Sequence, residues 1–266
     1  MVPPLGRSVN RGELPFDSPF GICQFCSMKE IQTRWFTLDS EKAKNRFPRS
    51  DFGVLEARPS NPSEIRGGIV LIQEIFGVNS HIRSLAERYA QKGFAVWAPA
   101  LFDHLETGVS LPYDTRAISK GRELVQQLGW EQPVDDIELA IDNLGASIGD
   151  KGVATIGFCW GGALSWLTAC RTKTPRLKAA ICYYGRQIWD FREEKPRVPV
   201  LMHFGRHDNL IPMENVEDIR TAHQTIPIYI YEAGHGFNCD ERADFNAEAA
   251  ALADERTMSF LESLGI

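Results

Sequence analysis

The chain has 266 residues, 43% of them hydrophobic, with 29 basic and 35 acidic side chains and a net charge of −6. That length supports one sizeable core. The acidic balance argues against a nucleic-acid partner, and no apolar run approaches the roughly 20 residues of a membrane span.

Residues 1–30 are rich in Pro and Gly and lack periodicity, so they read as an N-terminal extension, wrapped on the surface or partly disordered. The opening "MVPPLGRSVNRGELPF" carries no apolar core of the secretory type. Residues 31–266 read as a single domain. Residues 31–38 and 52–58 form an early strand pair, and "GGIVLI" (67–72) is a continuous apolar strand. The segment 80–93 is a helix with Ile82, Leu85 and Tyr89 on one face, and "FAVWAPAL" (94–101) is the next strand. A helix over 133–146 starts with Pro133 in its first turn and buries Val134, Ile137, Ile141 and Leu144. "VATIGF", "LKAAICYYG", "VPVLMHFG" and "IPIYIYEAG" are further strands, and 241–263 closes the chain as a helix. Apolar strands alternating with amphipathic helices imply an α/β fold, with a mostly parallel sheet covered on both faces. Function in such sheets sits at the carboxyl ends of the strands.

At residues 157–162, "GFCWGG" stands where a strand pattern becomes a helix pattern. This has the form of the G-x-S-x-G nucleophile elbow with sulfur in place of the hydroxyl, Cys159 being the nucleophile. The positive end of the following helix favours negative charge on the sulfur. The N–H of Trp160, in the first helical turn, is free to donate to an oxyanion. A nucleophile needs a base and the base an orienter, in the chain order nucleophile, acid, histidine. Asp208 follows one predicted strand and His235 follows the last, which gives the triad Cys159, Asp208, His235. His203 lies in a predicted buried strand and His207 on the loop before the acid. Their spacing matches no zinc signature, so no metal is expected. The six cysteines, at 23, 26, 159, 170, 182 and 239, are scattered, and Cys23-x-x-Cys26 has no second half. A domain of this size needs no disulfide staples, so the reading is a reduced, cytoplasmic protein.

With the triad placed, further stretches become legible. "QEIFGVN" after a strand, "GFCWGG", "CYYG" at 182–185, "HFGRHDNLIP" and "AGHGF" together resemble the dienelactone hydrolase family of α/β-hydrolases. The likeness runs over most of residues 50–264. It implies an α/β-hydrolase fold and hydrolysis of small lactones or esters through an acyl-thioester on Cys159, without a cofactor. It also implies that Glu74 is the active-site glutamate contacting the thiol, and that the amides of Ile75 and Trp160 form the oxyanion hole. Some members place a carboxylate-binding arginine four residues after the histidine, where this chain has Cys239. Others place one seven residues after it, which is Arg242 here, at the start of the predicted last helix. A second family arginine falls near Arg116 and Arg122. Trp160 and Phe237 would line an apolar part of the pocket. The expected partner is a small lactone or ester, with an anionic one accommodated by the arginines, and the chain acts as a monomer or homodimer. The alternatives on the same residues are a thioesterase or general carboxylesterase, and a non-catalytic binding protein.

Overall fold

The computed structural model describes residues 29–149 and 151–266. The N-terminal extension and the Cys23-x-x-Cys26 pair lie, but for its last two residues, outside them. Eight strands form one sheet: β1 (Ile31–Asp39), β2 (Asp51–Pro59), β3 (Gly67–Ile72), β4 (Phe94–Pro99), β5 (Val153–Phe158), β6 (Leu177–Tyr183), β7 (Val200–Gly205) and β8 (Ile228–Tyr231). Their spatial order is β1-β2-β4-β3-β5-β6-β7-β8. β1, β2 and β4 run antiparallel in turn, with Trp35 opposite Leu55 and Leu55 opposite Ala98. From β4 to β8 all pairings are parallel.

Every residue of β3, β4, β5 and β7 is buried, as continuous apolar runs require when both faces are covered. The helices are α1 (Ser80–Gln91), α2 (Thr115–Leu128), α3 (Glu131–Ile148), α4 (Trp160–Arg171), α5 (Met213–Ala222) and α6 (Ala247–Ser263). Neighbouring positions of a strand face opposite layers. Gly68 looks onto Leu144 and Ile148 of α3, and Gly67 onto Ile266 beyond α6. Lys92, just after α1, pairs with Asp254 of α6, so α1 and α6 share one layer. The chain reverses between β3 and β5, with β4 on one side of β3 and β5 on the other, and this opens a crevice at the strands' carboxyl ends.

Two elements differ from the sequence reading. α2 has no strong apolar run. Of its side chains only Ala117, Gly121, Leu124 and Leu128 are buried, one stripe that falls on a period near 3.6. The last helix starts at Ala247, where the Asn246 side chain accepts the Ala249 N–H at 3.0 Å. Residues 241–246 are therefore loop, and Arg242 does not open α6.

Candidate active site

The elbow follows from backbone crowding. A Cβ on Gly157 would meet the Gly161 carbonyl oxygen at 1.9 Å, so only glycine lets β5 and α4 approach this closely. Cys159 between them is held at φ 54°, one of three non-glycine residues with positive φ among those described. Its N–H donates to the Tyr183 carbonyl at 3.0 Å and its own carbonyl accepts the Gly162 N–H at 3.0 Å. The side chain is thus raised above the end of the sheet.

His235, beyond β8, places Nε2 3.2 Å from Cys159 Sγ and Nδ1 2.7 Å from Asp208 Oδ2. The other oxygen of Asp208 accepts the N–H groups of Leu210 and Ile211, at 2.8 and 3.2 Å, which fixes the carboxylate. Burial alone would strip His235 of its proton. The charge on Cys159 and the Asp208 carboxylate outweigh it and raise the imidazole to about 10. The arrangement puts a thiol, an imidazole and a carboxylate in contact, the set of groups that nucleophilic catalysis requires.

Glu74 is placed differently from the expectation. It is 1% exposed at the end of β3, yet it makes no hydrogen bond to the thiol. Tyr113 donates its hydroxyl to Oε2 at 2.9 Å, and Arg242 Nη1 stands 3.5 Å from Oε1 without hydrogen-bond geometry. The physical reason is that His235 already holds the sulfur, while the loop after it delivers an arginine to the carboxylate. Gln73 braces the segment, accepting the Leu101 N–H and donating to the Glu74 carbonyl.

Trp160 opens α4, so its N–H has no acceptor within the helix. Its ring stacks on Phe102, centroids 5.3 Å apart and 10° from parallel. Ile75 is fixed from α2: a Cβ on Gly121 would meet the Ile75 carbonyl oxygen at 2.2 Å, so only glycine allows this contact. Both residues line a cavity of about 480 Å³ that also holds Cys159 and His235.

The arginines are sorted by this cavity. Arg122 and Arg186 line it, and no acidic residue does. Arg116 is exposed on the same helix and lies outside the lining, because its position turns it to solvent. Arg242 is also outside, its guanidinium over the Tyr113 ring at 5.6 Å and beside Glu74. Phe237 is fully buried against Tyr184 and Tyr231 beneath the histidine, so it forms core, not pocket wall. Arg186 went unread in the sequence, although its place directly after the "CYYG" strand end was a signal.

The loop carrying Arg242 docks on the amino end of α1. Ser80 donates to Glu241 at 2.7 Å, and His81 Nδ1 meets Asp240 at 3.2 Å. With Cys239 these bring nitrogen, sulfur and oxygen within 4.8 Å of one another, the one such group among the described residues. The helix end and the neighbouring Arg242 both favour anions there, which works against a cation.

An eight-stranded, mostly parallel sheet with a nucleophile elbow between β5 and α4 defines an α/β-hydrolase. The sequence profile of the Dienelactone hydrolase family matches residues 52–265. A "Putative carboxymethylenebutenolidase" of Synechocystis is 34% identical over 212 residues, which cover 73% of this chain and 85% of that one. The "Carboxymethylenebutenolidase" of Pseudomonas putida is 33% identical over 222 residues, covering 80% and 92%. The solved "Putative Dienelactone Hydrolase" from Klebsiella pneumoniae has a TM-score of 0.70 at 29% identity, covering 85% of this chain and 98% of its own. The chain belongs to the dienelactone hydrolase family and is a hydrolase of carboxylic ester bonds. No helix among the described residues is long and apolar enough to cross a membrane.

Proposed function

We propose that this protein hydrolyses small lactones through a cysteine acyl-enzyme, with Cys159 as nucleophile, His235 as proton carrier and Asp208 as its orienter. The observation that carries the reading is the unbroken line of contacts from Sγ through the imidazole to the carboxylate, 3.2 and 2.7 Å. The sulfur attacks the lactone carbonyl carbon while His235 holds the thiol proton. The carbonyl oxygen becomes an oxyanion facing the N–H groups of Ile75 and Trp160, each worth roughly 3 kcal/mol by analogy with other oxyanion holes. The ring C–O bond then breaks, and the leaving oxygen takes the proton from His235. Water next attacks the thioester carbonyl, giving its proton to His235, and collapse releases the free acid and the sulfur.

The relatives named for carboxymethylenebutenolide hydrolysis support a lactone bearing a carboxylate, and the acid-free cavity with Arg122 and Arg186 accepts that charge. A reduced cytoplasm suits the working thiol. Cys159→Ala, assayed on carboxymethylenebutenolide and on p-nitrophenyl acetate, is expected to lose more than a hundredfold in kcat. Retention of a tenth of the activity would remove Cys159 as nucleophile. The acyl-thioester itself is sought by intact-mass spectrometry of quenched turnover mixtures.

A further inference from the structure

Three successive carbonyls follow β3, and each is held by a different part of the molecule. A Cβ on Gly161, in the elbow, would meet the Gln73 carbonyl oxygen at 2.5 Å, so α4 packs its backbone directly on that carbonyl. The Glu74 carbonyl accepts Nε2 of the Gln73 side chain at 3.3 Å, its one donor among the described residues. The Ile75 carbonyl lies against Gly121 of α2, 2.2 Å from where a Cβ would stand. Gln73 itself is buried, and its Oε1 accepts the N–H of Leu101, just beyond β4, at 3.2 Å. Only the amide oxygen can accept from Leu101 and only the amide nitrogen can donate to Glu74, so the two partners together fix which way the side chain faces. The Ile75 N–H, by contrast, has no acceptor among the described residues.

We propose that Gln73 is a positioning residue: by holding the Glu74 carbonyl, its side chain sets the direction in which the Ile75 N–H points. The inference rests on Cys159 being the nucleophile and on the Ile75 amide being an oxyanion donor beside that of Trp160. In a planar trans peptide the C=O and the N–H point in opposite directions. A carbonyl drawn back onto the Gln73 amide therefore turns the N–H of the same peptide the other way. Ile75 lines the cavity that holds Cys159 and His235, so this is the side on which a donor is needed. The carbonyls before and after cannot absorb a rotation of the peptide, because Gly161 and Gly121 press on them. The donor's direction is thus set before substrate arrives, the condition under which a dipole stabilises a developing charge without reorganising. Leu101 anchors the far end of the Gln73 amide, so the hold is transmitted from the end of the neighbouring strand.

Gln73→Met keeps the length of the side chain and removes both of its hydrogen bonds. In this variant kcat/KM on p-nitrophenyl acetate is expected to fall roughly ten- to a hundredfold, as for a donor misaimed and not deleted. Alkylation of Cys159 by iodoacetamide forms no oxyanion, so its rate stays within about twofold of the native chain. A merely structural role would slow both reactions, since a displaced elbow or histidine weakens the thiol in either. Gly121→Ala reaches the same peptide from α2, and the same split is expected there. Alanine is the better helix former, so lost turnover in that variant comes from the crowded Ile75 carbonyl. Both changes act on one peptide, so the double variant falls by less than the product of the single losses. Thermal denaturation checks folding, and were Gln73→Met unfolded, the split in Gly121→Ala would decide. A parallel fall of turnover and alkylation in folded variants would overturn the inference, and so would losses that multiply. Full-speed Gln73→Met beside the split in Gly121→Ala would overturn the role of Gln73 alone, whereas full speed in both would remove the Ile75 amide as a donor as well. Cys159→Ala is assayed alongside. Turnover retained there overturns the nucleophile assignment and this inference with it.

Discussion

Arg242 reaches past its own loop to Glu74, 3.5 Å from guanidinium to carboxylate, and this pair lies outside the cavity that holds Cys159. Removing the arginine leaves a carboxylate that is 1% exposed with Tyr113 as its one donor among the described residues. Arg242→Ala is expected to cost about 2–3 kcal/mol, the penalty of a buried charge that loses its partner. Thermal denaturation should show a fall of about 5–10 °C for a domain of this size. Adding Glu74→Gln should recover part of the loss. Because Arg242 serves Glu74, acidic and neutral substrates should suffer alike in initial-rate assays. A loss confined to acidic lactones would instead make Arg242 a substrate contact.

Alkylation should single out Cys159. Cys170, Cys182 and Cys239 are all buried, and burial pushes the Cys170 thiol up to about 12, Cys239 to about 11 and Cys182 higher still. Cys239 looks like a loop cysteine in the sequence, open to reagent, but it is packed between Tyr113 and the α1 dock. Iodoacetamide at neutral pH followed by peptide mapping should find Cys159 modified in step with activity loss and Cys239 untouched. Early labelling of Cys239 would mean that the 236–246 loop opens readily.

The pH–rate profile follows from the raised histidine. In the proposed reaction His235 carries the proton that the leaving oxygen takes, and the imidazole is raised to about 10. Activity should thus persist through the neutral range and fall as pH passes about 10. Asp208→Asn removes one of the two charges that raise the imidazole, so the alkaline limb should move to lower pH. The same change should lower kcat by roughly a hundredfold or more. An alkaline limb that stays in place would separate Asp208 from the proton carrier.

Much of this architecture was legible because it is written in local chemistry. Continuous apolar runs mark β3, β5 and β7, and turn glycines mark the strand ends that carry Cys159, Asp208 and His235. The parts that were not legible depend on pairings between distant segments. Gln73 looks like any loop amide, yet it clamps the backbone behind Glu74. The 241–246 segment reads as helix by composition, but Ser80 fastens its Glu241, and His81 the preceding Asp240, to α1, and together they hold it as a loop. His104 and Gln132 are fully buried polar residues joined through Asp136, a network that no periodicity announces.

That network should appear in stability against pH. His104 is buried, which opposes its charge, but the hydrogen bond and charge of Asp136 win and raise it above its ordinary 6.5. A raised folded value means the stabilisation is complete below about 6.5 and fades as pH climbs through the shifted value. The melting temperature of the native chain minus that of Asp136→Asn should therefore be largest in mild acid and shrink toward alkaline pH. A difference independent of pH would mean that the pair contributes as a neutral hydrogen bond.

If the substrate carries a carboxylate, Arg122 and Arg186 are expected to read its charge. Arg122 comes from α2 and Arg186 from the turn after β6, so two independent elements bring cations to one cavity. Neither forms an ion pair among the described residues, and no acid lines the wall to neutralise them. A charged hydrogen bond to a carboxylate contributes roughly 1.5–3 kcal/mol, or about ten- to a hundredfold in kcat/KM. Arg122→Ala and Arg186→Ala should each raise KM for acidic lactones by at least several-fold and leave neutral esters within about twofold. Arg116→Ala, on the solvent side of the same helix, should change neither. Were Arg116→Ala to match Arg122→Ala, the effect would be the general field of a basic helix, which about 0.15 M salt screens beyond roughly 8 Å. Loss on acidic lactones that survives such salt, in Arg122→Ala and Arg186→Ala alone, is what direct contact requires.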